Sequence, residues 1–210
     1  MNAMRSAIAM CLGLGLAGCS LLSDTRGEQS IWGLAAATPT TGTTPVVWQL
    51  VIDEPAAAAA LAGNRIALTP GDGSWGVMRG ARWDDSAPRL VQTLLLRAFE
   101  DSKRIVGVGR GGASVRGDYL LLTELRGFHV ERGGADTAKV SIGAKLVHFK
   151  SNQVLAAQVF DASAAIDASG IAAVVAAFQS ATNQTLPQIV DWTLDAGEAA
   201  QRAAATESGG

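Results

Sequence analysis

Thr137-Ala138-Lys139-Val140-Ser141-Ile142-Gly143-Ala144-Lys145-Leu146-Val147-His148-Phe149, then Lys150-Ser151-Asn152, then Gln153 to Phe160, spells out a β-hairpin. Val140, Ile142, Ala144 and Leu146 fall on one face at period two, while Ser141, Gly143 and Lys145 fall on the other. Such alternation suits an antiparallel sheet with one buried and one solvated face. Asn152 supplies the turn because its short side chain tolerates positive φ.

Outward from the hairpin, the elements alternate in type. Ser86 to Asp101 carries Leu90, Val91, Leu94, Leu95, Ala98 and Phe99 as a single helical stripe. Asp85 or Ser86 is the expected N-cap, and Pro88 lies in the first turn, where its missing N–H has no helical partner to lose. Strands are expected at Ile31–Ala37, Val46–Ile52, Arg65–Thr69, Trp75–Met78, Ile105–Val108 and Tyr119–Val130, with Thr38–Pro45 as a loop. A last helix starts near Gly170 and holds Val174, Val175, Phe178, Leu186, Ile189, Val190 and Leu194, with Pro187 expected to kink or split it. The fold class is therefore α/β of the α+β kind: one domain, a mixed and largely antiparallel sheet packed against two principal helices.

The N-terminus is an export signal. Arg5 precedes an apolar stretch from Ala7 to Leu16, too short to span a hydrocarbon core that needs roughly 20 residues, but suited to a secretory h-region. It ends in Leu16-Ala17-Gly18-Cys19, which resembles the bacterial lipobox. That resemblance implies that residues 1–18 are removed and Cys19 is acylated. Three acyl chains, at about 0.8 kcal/mol per buried methylene, exceed the threshold for stable attachment. Residues 19–30 then form a lipidated tether, 31–195 the domain, and 196–210 an alanine- and glycine-rich tail read as disordered. Ser20, in place of the aspartate that commonly retains enterobacterial lipoproteins at the inner membrane, favours the outer membrane's periplasmic face.

Removal of residues 1–18 leaves 16 basic and 19 acidic residues, a net charge of −3, which excludes nucleic acid as a partner. Cys11 leaves with the signal and Cys19 takes lipid, so the domain has no disulfide. Gly107-Val108-Gly109-Arg110-Gly111-Gly112 matches GxGxxG, but a strand follows it where a dinucleotide fold needs a helix. Gly112-Ala113-Ser114-Val115-Arg116 lacks the second glycine of a nucleophile elbow. His129 and His148 belong to no ligand cluster. No cofactor, metal or catalytic residue is expected. Arg82-Trp83-Asp84-Asp85-Ser86-Ala87-Pro88 has two readings. Trp83 either staples the first helical turns or forms, with Arg82, an aromatic–arginine partner contact.

At this motif the chain resembles the PqiC/YmbA-like ABC-type transport auxiliary lipoproteins. The resemblance rests on Val51 through Ile66, Arg82-Trp83 with Pro88 and Leu90–Phe99, Tyr119-Leu120-Leu121 with Glu124-Leu125, Lys139–Phe149, Val154–Phe160 and Ile189-Val190-Asp191-Trp192. Ile31-Trp32-Gly33-Leu34 departs from the tyrosine-rich strand usual there. The resemblance implies a non-catalytic accessory of a lipid transporter, with an MCE-domain protein and an ABC permease and ATPase as partners, and it admits a homo-oligomer. The other function consistent with these residues is a carrier that holds an acyl chain between helix and sheet.

Overall fold

The hairpin is the spine of the sheet. In the computed structural model, which describes residues 29–37, 45–112 and 117–208, its strands are β8 (Thr137–His148) and β9 (Gln153–Ala165). Asn152 closes the turn at φ 53°. Val140, Ile142, Ala144 and Leu146 are buried and Lys145 is exposed as the alternation indicates, but Ser141 and Gly143 on the opposite face are buried as well. β9 runs five residues past Phe160, where alanines and serine hide the alternation.

β8 pairs antiparallel with β7 (Tyr119–Glu131), whose other edge receives three short strands in succession. Leu50–Ile52 of β2 (Val46–Ile52) lies beside Tyr119–Leu121. β3 (Ala56–Ala57) lies beside Glu124–Leu125, and Ala67–Thr69 of β4 (Arg65–Thr69) beside His129–Glu131. All three pairings are parallel. Beyond them, β6 (Ile105–Arg110) pairs parallel with β2, and β5 (Gly76–Trp83) pairs antiparallel with β4. β1 (Ser30–Trp32) closes that end beside β5. The sheet is mixed and open, as the sequence predicts, and β9 forms its other border.

Two helices cover one face. α1 (Ala87–Ser102) follows β5 and buries Leu90, Val91, Leu94, Leu95, Ala98 and Phe99, the stripe read from the sequence. Ser86 is the N-cap without a side-chain capping bond, and Lys103 ends the helix in the left-handed region at φ 56°. α2 (Ile171–Ser208) lies over β8 and β9. It corrects two expectations. Pro187 does not split the helix, because Leu186, Ile189 and Val190 on either side are fully buried and hold both halves to one core. Residues 196–208 are helical rather than frayed: Ala196 and Ala200 pack on the core, and the Tyr119 hydroxyl reaches the Gly197 carbonyl at 3.4 Å. Among the described residues, no helix is long and apolar enough to cross a membrane. Cys19, its lipobox and most of the Thr38–Pro45 loop lie outside the described residues.

Candidate docking surface

Arg82 and Trp83 are consecutive on β5, so a strand's alternation sends them to opposite faces. Trp83 is fully buried, its ring 5.4 Å from Phe128 of β7 and 5.1 Å from Phe178 of α2. Its indole is therefore a core anchor at the end of β5. It is unavailable to a partner, and its aromatic neighbours lie on β7 and α2 rather than on the first turns of α1. The sequence signal misleads here because β5 runs to Trp83 instead of ending near Met78.

Arg82 keeps the outward position. It stands in register with Ile31 of β1 on one side and Arg65 of β4 on the other. Arg65 and Ile31 are exposed, and Arg82 is half-buried. Like charges directly opposite one another weaken a sheet, and among the described residues neither guanidinium has an ion-pair partner. Among the described residues, the row Ile31–Arg82–Arg65 thus presents two cations without an ion-pair partner beside an apolar side chain, at the border strand β1.

The rest of the helix-free face carries further apolar side chains. Val47 is 80% exposed, and Trp75, Val77, Leu122 and Val159 are exposed in part. Trp75 covers His129 edge-on at 5.0 Å. Burial, with Lys139 adding to it, pushes the His129 pKa below its usual value, and its Nδ1 has no partner among the described residues. A cleft of about 630 Å³ crosses the same face from β3 to β9, with Leu122, Ala157 and Val159 among its walls and Glu54, Glu124, Arg126 and Lys145 at its rim. Arg126 is held by Glu124 at 3.0 Å. Sequence reasoning overlooked Leu122 and Val159. The available signal was an apolar residue falling in the solvent-facing register of an otherwise alternating strand.

The groups that chemistry would need remain apart. His148 Nδ1 and Ser151 Oγ are 2.9 Å from one another, but the Ser151 N–H also points to that nitrogen at 3.4 Å, a turn closure. Among the described residues no bonded group reaches the other ring nitrogen, as a nucleophile–base pair would require. Gly107 and Gly109 lie within β6, and Gly111–Gly112 form a turn. A Cβ at Gly111 would stand 1.7 Å from Asp53 Oδ1, so this glycine makes room for a carboxylate of its own chain. No group of acidic, histidine or cysteine side chains suited to a metal ion occurs among the described residues.

A family model described as ABC-type transport auxiliary lipoprotein component matches residues 33–190. The chain belongs to this family. It is a family of transport accessories, not of enzymes, and its members are lipoproteins. The crystal structure of protein XCC0632 from Xanthomonas campestris is similar, with 31% identity and a TM-score of 0.77, covering 82% of this chain and 99% of that one. An uncharacterised protein of Bradyrhizobium diazoefficiens is 30% identical over 145 residues, and the match spans 69% of this chain but 39% of that longer protein. A crystal structure titled only as an uncharacterised protein shares the fold at TM-score 0.61 and 16% identity, covering 78% of this chain and 97% of that one. The auxiliary lipoprotein fold here is thus a sheet with one face packed by helices and the other left open.

Proposed function

We propose that this auxiliary lipoprotein is anchored through Cys19 to the periplasmic face of the outer membrane and acts there by docking. Its partner in this reading is the MCE-domain protein of an ABC-type lipid transport system, whose permease and ATPase sit at the inner membrane. The observation that carries the proposal is the open sheet face, with the Ile31–Arg82–Arg65 row at the tethered end. A non-catalytic accessory needs a surface, and apolar side chains with adjacent arginine are the types enriched where interfaces are strongest. Tethering supports it, because confinement at the membrane raises the effective concentration of a weak docking site.

The carrier reading draws less support. The space between helices and sheet is filled by Trp83, Leu95, Phe99, Phe128 and Phe178, each fully or almost fully buried. The groove that opens beside the end of α2 mixes Tyr119, Leu155 and Ala200 with Asp118, His148, Gln201 and Glu207, so polar and charged groups interrupt the apolar lining an acyl chain would need.

Arg82→Glu tests the docking role. The introduced carboxylate would face Arg65 and relieve the cationic pair, so folding stability should change by less than about 0.5 kcal/mol or rise slightly. Capture of the MCE-domain protein should fall sharply, since a reversed charge at an interface costs about 2–5 kcal/mol. Unchanged capture by a folded variant removes Arg82 from the interface.

A further inference from the structure

Of the five tryptophans only Trp75 is exposed, at 48%. It stands immediately before β5, with part of its indole over His129 and the rest in solvent. Val77, two residues further on, is 40% exposed. An indole joins a large apolar body to a polar N–H, which suits it to the boundary between water and lipid.

The end of the sheet that carries Trp75 is also the end from which the chain enters β1. That strand runs parallel to β5 with Ser30 beside Ala81, so Gln29 approaches from the side where β5 begins. The Ser30 hydroxyl donates to the Gly80 carbonyl at 2.9 Å and fixes this approach. From Ala81 back to Gly76 is five residues, at most about 16 Å of strand. The 11 residues 19–29 reach at most about 36 Å. An anchor at Cys19 can therefore set the Trp75 end on a bilayer with chain to spare. Tyr119, at the opposite end of β7, lies ten residues from His129, about 33 Å away, so touching down there would take almost the full reach.

The turns at the Trp75 end carry little net charge. Asp72 accepts from the Ser74 N–H at 2.8 Å and from its hydroxyl at 2.6 Å. Arg132 pairs with Asp136 at 3.4 Å, and Glu131 with Lys139 at 3.9 Å. Asp167, in the segment before α2, and Arg79 on β5 offset one another in sign. No cationic cluster is present to draw this end to anionic lipid.

We infer that the Trp75 end of the sheet rests on a zwitterionic lipid surface, with the indole at headgroup level as a second, non-covalent contact beside the acyl anchor. The turn ahead of Trp75 suits this. Gly71 at φ 86° and Gly73 at φ 88° bend the chain sharply and carry no side chain that would hold the indole off the bilayer. The strands then stand away from the membrane, and the helix-free face stays open sideways to a partner. The inference rests on the Cys19 anchor of the proposed function and on no partner protein.

The test uses the full-length acylated chain in phosphatidylcholine vesicles whose acyl chains carry bromine near the headgroup, which quenches an indole only on contact. Wild-type emission should fall relative to unbrominated vesicles, and Trp75→Phe should abolish that fall while still floating with the vesicles. About 1 M salt, where the Debye length is about 3 Å, should leave the quenching unchanged. A fluorophore on Ser74→Cys should be quenched by nitroxide-labelled lipid, and one on Lys150→Cys, in the β8–β9 turn at the opposite end, should not. This pair decides the matter even if Trp75→Phe fails to fold. Equal quenching of wild type and Trp75→Phe, loss of quenching in salt, or equal quenching at Ser74→Cys and Lys150→Cys would each overturn the inference. A wild-type chain that does not float removes the anchor and the inference with it; one that floats without quenching removes the inference alone.

Discussion

Replacing Gly197 with alanine tests whether the last turns of α2 are docked or merely helical. In an unpacked helix the change should stabilise by roughly 0.5–1 kcal/mol, because glycine loses more backbone freedom on folding than alanine does. In this structure a Cβ at position 197 would stand 2.5 Å from Cζ2, 2.9 Å from Cε2 and 3.0 Å from Cη2 of Trp48. The indole cannot swing aside easily: Trp48 is 1% exposed, and Tyr119 meets it edge-on at 5.0 Å. Overpacking of this kind costs about 1–3 kcal/mol. The propensity gain offsets up to about 1 kcal/mol of it, leaving a net loss of about 1 kcal/mol. All three clashing atoms belong to the six-membered ring of the indole, so Trp48→Phe removes them. In that background Gly197→Ala should become stabilising, and a double-mutant cycle in urea should give a coupling of about 1–3 kcal/mol. A stabilising Gly197→Ala in the native background, or a coupling below about 0.5 kcal/mol, would refute the docked helix.

Leu95→Ala, in the stripe of α1 and fully buried, should destabilise by about 2–5 kcal/mol in the same assay; a loss under about 0.5 kcal/mol would misplace the core. Cys19→Ala should abolish acylation and leave a precursor larger by the 18-residue signal, visible by mass spectrometry; normal processing would exclude the lipobox. His129 has its folded pKa lowered by burial, so the unfolded chain binds the extra proton first. Stability contributed by the neutral ring is therefore complete above about pH 6.5 and is lost as pH falls through that value towards the folded pKa. His129→Gln should flatten this part of the pH profile, and an unchanged profile would place the titration elsewhere.

Local features were legible in the sequence where a single residue or period decides them. Asn152 takes positive φ, Pro88 sits in the first turn of α1, and the Leu90–Phe99 stripe faces the core. Contacts between distant segments were not. Nothing in Leu50–Ile52 or Ala67–Thr69 announces that both run parallel to successive stretches of β7, because parallel pairing is fixed by the crossovers and not by the strand's own pattern. Alanine hid two elements: the last residues of β9 and the docked end of α2 bury small side chains that carry little periodic signal. Trp83 misled for another reason. Its place before a helix suggested a staple, and only the length of β5 reveals that it points into the core between Phe128 and Phe178. At the candidate site Arg82 was legible, whereas Arg65 and Ile31 required the register.

The most direct test of the central claim is capture by the intact lipoprotein. Membranes carrying the wild-type, acylated chain should retain the MCE-domain protein of its transport system through solubilisation and affinity purification, and membranes carrying Arg82→Glu should lose it. No capture by the wild-type chain, with phospholipid recovered instead at one molecule per chain, would contradict docking and favour the carrier.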